Sequence, residues 1–165
     1  MPVDRSYIRV KAMLIAPHVD DSRHLVSVNA PTSESPRGFH RLVGGSVELG
    51  ETHREAIIRE VEEELGARIL DLTHLGMLEN IFHYNGELGH EIVALYSGRL
   101  EPSPSDDGGT LTESDGSVAP VVWRPFDDAD TEVPLYPAAV IDWIRGFRNL
   151  PDGRVYKSKK ISASE

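Results

Sequence analysis

The stretch from Gly44 to Ala67, GGSVELGETHREAIIREVEEELGA, constrains this chain more than any other. Thr52 followed by Glu55 has the spacing of a capping box, which satisfies the first orphan amides of a helix. Gly66 supplies a left-handed stop. Between them Ile57, Ile58, Val61 and Leu65 form an apolar stripe at helical spacing. At about 100° per residue, Glu60, Glu63 and Glu64 share a face centred roughly 120° from that stripe. Like charges one turn apart repel by a few tenths of a kcal/mol per pair, so this cluster needs a cation. Carboxylates at that spacing reach one hard divalent ion, which takes oxygen ligands and keeps several waters.

Composition narrows the alternatives. At 165 residues the chain suits one domain with a real core, and with no cysteine it has neither disulfides nor thiolate metal sites. The seven histidines include no HxxxH pair, so zinc is not favoured. The net charge of -10 is concentrated in two blocks. Residues 44–67 carry Glu48, Glu51, Glu55, Glu60, Glu62, Glu63 and Glu64 against Arg54 and Arg59. Residues 101–117 carry Glu101, Asp106, Asp107, Glu113 and Asp115 with no base. Such a chain repels an extended nucleic acid but accepts a small phosphorylated ligand held through a metal. No apolar run reaches the roughly 18 residues of a membrane span, and MPVDRSYIRV lacks a signal peptide's apolar core. Cytoplasm is the expected location.

Along the chain, Tyr7–Ile15 alternates as a strand, with Ile8, Val10, Ala12 and Leu14 opposite Tyr7, Arg9, Lys11 and Met13. His24–Val28 is a returning strand, and the Ser/Pro-rich segment 31–38 is a loop. Phe39–Val43 is a short strand running into a Gly44-Gly45 turn. Ile69–Leu78 is a strand with a turn near Gly76. Two further strands, Glu79–Tyr84 and Glu91–Ser97, flank Asn85-Gly86-Glu87-Leu88-Gly89, a hairpin with either a two-residue or a longer turn. Residues 101–117 form a long acidic loop, Val118–Trp123 a strand, and Pro137 opens a second helix at its first position. Residues 1–150 make the domain, and 151–165 a polar tail. Trp123 and Trp143 belong to the core.

Gly45, five residues, Glu51, seven residues, then Arg59-Glu60-Val61-Glu62-Glu63-Glu64-Leu65-Gly66-Ala67 resembles the full signature of the Nudix hydrolase family. Every acidic, arginine and glycine position matches; Ala67 stands where a larger aliphatic is commoner, which touches packing only. The resemblance implies an α/β/α sandwich around a mixed sheet. It also implies Mg2+- or Mn2+-dependent hydrolysis of a nucleoside diphosphate derivative, by water attack at phosphorus. Glu60, Glu63 and Glu64 would be the metal ligands, Arg59 would orient the first, and Glu51 would support them. One further acid, serving as ligand or base, is expected from outside the motif: Glu113 first, Glu91 second. Homodimers are common in the family.

Other residues have two readings. Gly44 and Gly45 admit close backbone approach to metal or phosphate. Glu48 and Glu51 either pair with Arg59 or tie the loop to the helix. Arg37 and Arg41 bind phosphate or balance the nearby acids. Phe39 and Tyr84 stack on a nucleobase or belong to the core; Tyr84, 17 residues beyond the motif, also stands where dinucleoside polyphosphate hydrolases of the family carry a tyrosine. His40, His83 and His90, near strand ends, either line a pocket and contact phosphate or a base, or are structural or exposed. The rival classes are a dinucleoside polyphosphate hydrolase, a non-catalytic nucleotide sensor on the same fold, and a purely structural acidic domain.

Overall fold

The computed structural model describes residues 3–127 and 132–147; the proposed tail at 151–165 lies outside them. Its elements are β1 (Arg9–Ile15), β2 (Arg23–Asn29), β3 (Phe39–Ser46), α1 (His53–Leu65), β4 (Arg68–Tyr84), β5 (Glu87–Glu101), β6 (Gly109–Thr112), β7 (Val118–Pro125), β8 (Leu135–Tyr136) and α2 (Val140–Phe147). The strands run in the order β4-β5-β1-β3-β2-β7-β6, with β8 beside β3. β1 with β5 and β3 with β8 are parallel, and the other pairs are antiparallel. The sheet is therefore mixed.

Alternation along β1 builds a core on each side of it. Ala12 and Leu14 pack with Ala56, Ile57 and Val61 of α1. Met13 and Ile15 pack with Val140 and Ile144 of α2. The result is the expected α/β/α sandwich. No helix among the described residues is long and apolar enough to cross a membrane.

Several local expectations are corrected. Gly44 and Gly45 lie inside β3 rather than in a turn. Gly44 has φ +145, and a Cβ there would stand 2.0 Å from the Ala12 carbonyl oxygen; at Gly45 it would stand 2.2 Å from the Glu60 carboxyl carbon. The pair therefore allows close packing and does not reverse the chain. Ile69–Tyr84 lies within one long strand, β4, with irregular register around Leu70/Thr73 and His74/Gly76. Gly76 leaves room for the indole of Trp143, which a Cβ would meet at 2.9 Å. The hairpin closes in two residues, since Tyr84 pairs with Glu87 and both Asn85 and Gly86 have positive φ. The acidic segment 101–117 contains a strand, β6, paired with β7. The second helix begins at Val140, three residues after Pro137. Ile58 is 42% exposed.

β3 changes neighbour along its length. β1 flanks Val43–Ser46, whereas β8 flanks His40–Arg41. The sheet forks there, and a cavity of about 380 Å³ is lined from both prongs.

His24 of β2 is fully buried, and neither ring nitrogen has a hydrogen-bond partner. Burial, with Arg124 and His40 nearby, pushes its pKa down to about 3. The folded state therefore holds it neutral while the unfolded chain binds its proton below about pH 6.5. Stability is lost as pH falls below that value. We expect the parent to lose roughly 2 kcal/mol more than His24→Leu between pH 7 and pH 5, read from urea unfolding at both pH values; parallel losses would refute it.

Candidate active site

The predicted capping box of α1 is present in both directions. Thr52 Oγ1 accepts from the Glu55 amide at 3.1 Å, and Glu55 Oε2 accepts from the Thr52 amide at 2.8 Å. Gly66 ends the helix in the left-handed conformation, its N–H donating to the Glu62 carbonyl.

Between these ends Arg59 spends all five guanidinium N–H groups. Nε and Nη2 hold Glu51 in a two-pronged pair at 2.7 and 2.9 Å. Nη1 donates to Glu60 at 3.0 Å and to Glu63 at 3.2 Å, and Nη2 also reaches the Ser46 carbonyl at 3.0 Å. Glu51 additionally accepts from the Glu48 amide at 3.1 Å. Both readings of Glu51 are thus realised, while the Glu48 side chain is exposed and contributes backbone alone. Hydrogen bonds from Arg59 hold the Glu51 carboxyl down at about 2 against some desolvation, and the Arg59 pKa rises further.

The three glutamates expected on one face are divided. Glu63 is 57% exposed at its side chain, whereas Glu60 is 12% exposed. Glu64 is buried, on the same stripe as Ile57 and Val61. One full turn from Ile57 is Val61, and Glu64 follows three residues later, so helical spacing carries it into the boundary of the core. Burial raises the Glu60 pKa, partly offset by Arg59. Burial also pushes Glu64 up to about 8, reinforced by Glu60 and then Glu113 and opposed by Arg41 and Lys11. Glu64 Oε2 is buried without a hydrogen-bond partner.

Among the described residues no three His, Asp or Glu side chains stand as a formed metal cage, and Arg59 bridges Glu51, Glu60 and Glu63. The donor chemistry nevertheless fits a hard divalent cation. Glu60 fills the space left by the missing Gly45 Cβ, and Glu64 offers an unpartnered oxygen. A Mg2+ ion needs only one or two carboxylates when water and phosphate complete its shell.

The distant acid arrives from β6 and its following turn. Glu113 lies 3.6 Å from Arg41 of β3 and close enough to Glu64 to raise its pKa. Arg41 also lines the cavity. Glu91, the second candidate, is buried in β5, where Arg9 pairs with it and Asn80 donates to it at 3.4 Å. Arg37 is far more exposed and pairs with Glu132.

Phe39 and Tyr84 meet in the cavity wall, edge to face at 6.5 Å, and Phe39 also contacts Tyr136 at 5.3 Å. Two further lining residues, Arg5 and Glu34, brace the wall. Arg5 lies 4.6 Å over the Tyr84 ring, and Glu34 accepts from the Asn85 and Gly86 amides at 2.8 and 2.9 Å. Loop 31–38 is thereby fastened to the tip of the β4–β5 hairpin. His83 lines the cavity, but His40 sits against Arg124 and His90 pairs with Glu79.

The sequence reading missed Arg9 and Lys11, which face the cavity from β1, and Tyr136 of β8. Its only trace was a pair of basic residues alternating within a strand otherwise headed for the core.

An α/β/α sandwich whose acidic helix is tied by one arginine beside a cationic, aromatic-walled cavity has the architecture of the Nudix hydrolases. The chain belongs to the NUDIX domain family, whose model matches residues 9–144. That family comprises hydrolases acting on phosphoric anhydride bonds. A Mycobacterium tuberculosis protein named MutT4 is 40% identical over 85 residues, 52% of this chain and 32% of the relative. The 8-oxo-dGTP diphosphatase of Proteus vulgaris is 27% identical over 81 residues, 49% of this chain and 67% of the relative. Among solved structures, a MutT NUDIX hydrolase from Burkholderia pseudomallei superposes with a TM-score of 0.61 at 27% identity, covering 82% of this chain and 95% of that one.

Glu64 generates a prediction for the metal-free protein. Its pKa is raised on folding, so its stabilising contribution is complete below the unfolded value near 4.5 and is lost as pH rises through about 8. Glu64→Gln is therefore expected to melt higher than the parent in EDTA, by a margin that widens from pH 5 to pH 9. A margin that is constant or reversed would refute the assignment.

Proposed function

We propose that this domain is a Mg2+- or Mn2+-dependent pyrophosphohydrolase that cleaves the anhydride link of a nucleoside diphosphate derivative, with nucleoside triphosphates as the first class to test. One observation carries the reading: the buried, unpartnered Glu64 oxygen stands beside Glu60, within electrostatic reach of Glu113 and of the cavity-lining Arg41. The names of the MutT-like relatives support a triphosphate substrate.

Glu60 and Glu64, with Glu63 completing the set, would hold the ion. The bound cation supplies charge neutralisation on the phosphate oxygens and on the departing phosphate. Arg59 keeps Glu60 and Glu51 in place when the acids would otherwise repel. Gly45 lets the Glu60 carboxylate of α1 approach β3 closely, and Gly44 lets β3 lie close against Ala12 of β1. Phe39 and Tyr84 offer the nucleobase a wall, and Arg41 faces its phosphates. Water attacks phosphorus, the anhydride P–O bond breaks, and the water proton passes to Glu113, which Arg41 positions. The lack of cysteine and the small nucleotide substrate support a cytoplasmic location.

Phosphate or pyrophosphate release from a nucleotide panel, with Mg2+ and with EDTA, tests this reading. Activity is expected only with the metal. Glu60→Gln should lower kcat by about 10²–10³-fold, the usual cost of removing one charge-stabilising group, and Glu113→Gln by about 10²–10⁴-fold, both with cooperative melting in EDTA that shows a folded protein. Binding without turnover by the parent across the panel would overturn the reading and favour a sensor. Gly45→Ala should fold, because the group displaced is the mobile end of Glu60, yet require at least about tenfold more metal for half-maximal activity.

A further inference from the structure

Lys11 is an anomaly in β1. Arg9, Lys11 and Met13 are successive residues on the cavity side of the strand, opposite Ala12 and Leu14, which pack toward α1. Lys11 is only 9% exposed. A lysine enclosed to that degree loses hydration of its ammonium and needs a compensating anion. Its neighbours in the cavity are already committed, Arg9 to Glu91 and Arg41 to Glu113. Lys11 forms no such ion pair among the described residues.

Its position is equally specific. Glu91 acts on it from the cavity side and Glu60 from α1, while Arg41 and Arg9 oppose them. Lys11 in turn acts on Glu60 and Glu64. The side chain therefore lines the cavity from β1 while lying within electrostatic reach of Glu60 and Glu64 of the acidic helix. Burial lowers its pKa to about 8, which leaves most molecules charged at neutral pH and an arriving anion as the missing partner.

We propose that Lys11 binds the phosphate group joining the nucleoside in the cavity to the anhydride at α1, and so restricts the site to phosphorylated nucleosides. This role rests on the pyrophosphohydrolase reading above for the direction in which the ligand lies. It adds a substrate-binding residue outside the glutamate motif. Lys11 selects for the phosphate directly attached to the nucleoside, independently of the metal.

The test is equilibrium binding to the full chain in EDTA, using the common nucleoside monophosphates and their unphosphorylated nucleosides. The parent is expected to bind at least one monophosphate more tightly than its nucleoside, with an advantage that shrinks as salt is raised. Lys11→Met should weaken that monophosphate by about 10- to 100-fold, in the range of a lost charge-assisted hydrogen bond. It should leave the nucleoside affinity within about twofold, and Lys11→Arg should retain most of the preference. Equal weakening of nucleoside and monophosphate would mark Lys11 as structural and overturn the proposal. So would an unchanged monophosphate affinity, or a parent with no preference for the phosphorylated form. Should Lys11→Met not fold, Lys11→Gln provides the same comparison. Turnover separates this proposal from the reading it rests on. A parent that hydrolyses triphosphates while Lys11→Met keeps the parent's KM would sink the lysine alone. A parent that binds monophosphates through Lys11 yet hydrolyses nothing would sink the reaction and leave the lysine in place.

Discussion

The Arg59 guanidinium is the interaction on which the site depends. It joins the loop before α1 through Glu51, the C-terminal half of α1 through Glu60 and Glu63, and the end of β3 through the Ser46 carbonyl. A planar group with five fixed donors suits this task; a lysine carries comparable charge but cannot make a two-pronged pair with Glu51 and still reach three other acceptors. Most of these partners are partly enclosed, so their charges are screened less than an exposed surface network would be. Without the guanidinium, Glu51, Glu60 and Glu63 would lose the cation they share.

The arrangement also explains why the three glutamates behave so differently within five residues. Glu63 points outward and keeps its hydration, and Glu60 is largely enclosed but held by Arg59. Glu64 is driven into the core boundary by the spacing that buries Ile57 and Val61. A carboxyl in that position is poorly hydrated and unpartnered, which disfavours its ionised form in the metal-free chain. Glu64 therefore lowers stability while remaining suited to a cation, the usual conflict between fold and site.

Much of this follows from local chemistry visible in the sequence. The capping box, the glycine stop and the two-residue Asn-Gly turn are decided within four or five residues, and the structure has all three. The Gly44-Gly45 pair shows where local reasoning misleads. A glycine pair suggests a turn, but here the demand for small residues comes from Ala12 on one side and Glu60 on the other, both distant in sequence. Gly76 is the same case, its space taken by Trp143. The exposed Ile58 and the buried Glu64 together show that the helix is rotated relative to its simplest apolar stripe. What sets that rotation is packing against β1 and β3, which no helical periodicity contains.

The cavity was the part least available from sequence, because it is a product of topology. It exists because β3 gives up β1 for β8 halfway along, which forks the sheet between residues that pair only through long-range register. Phe39, Tyr84 and Tyr136 reach it from three strands, and Glu34 stiffens it by fastening a loop to the hairpin tip more than fifty residues away. The motif on α1 specifies chemistry at phosphorus and says nothing of the group attached to it. Under the proposed function that group would be read by side chains whose proximity depends on the fork, which is how an enclosed lysine in β1 would bear on substrate choice while lying far outside the acidic helix.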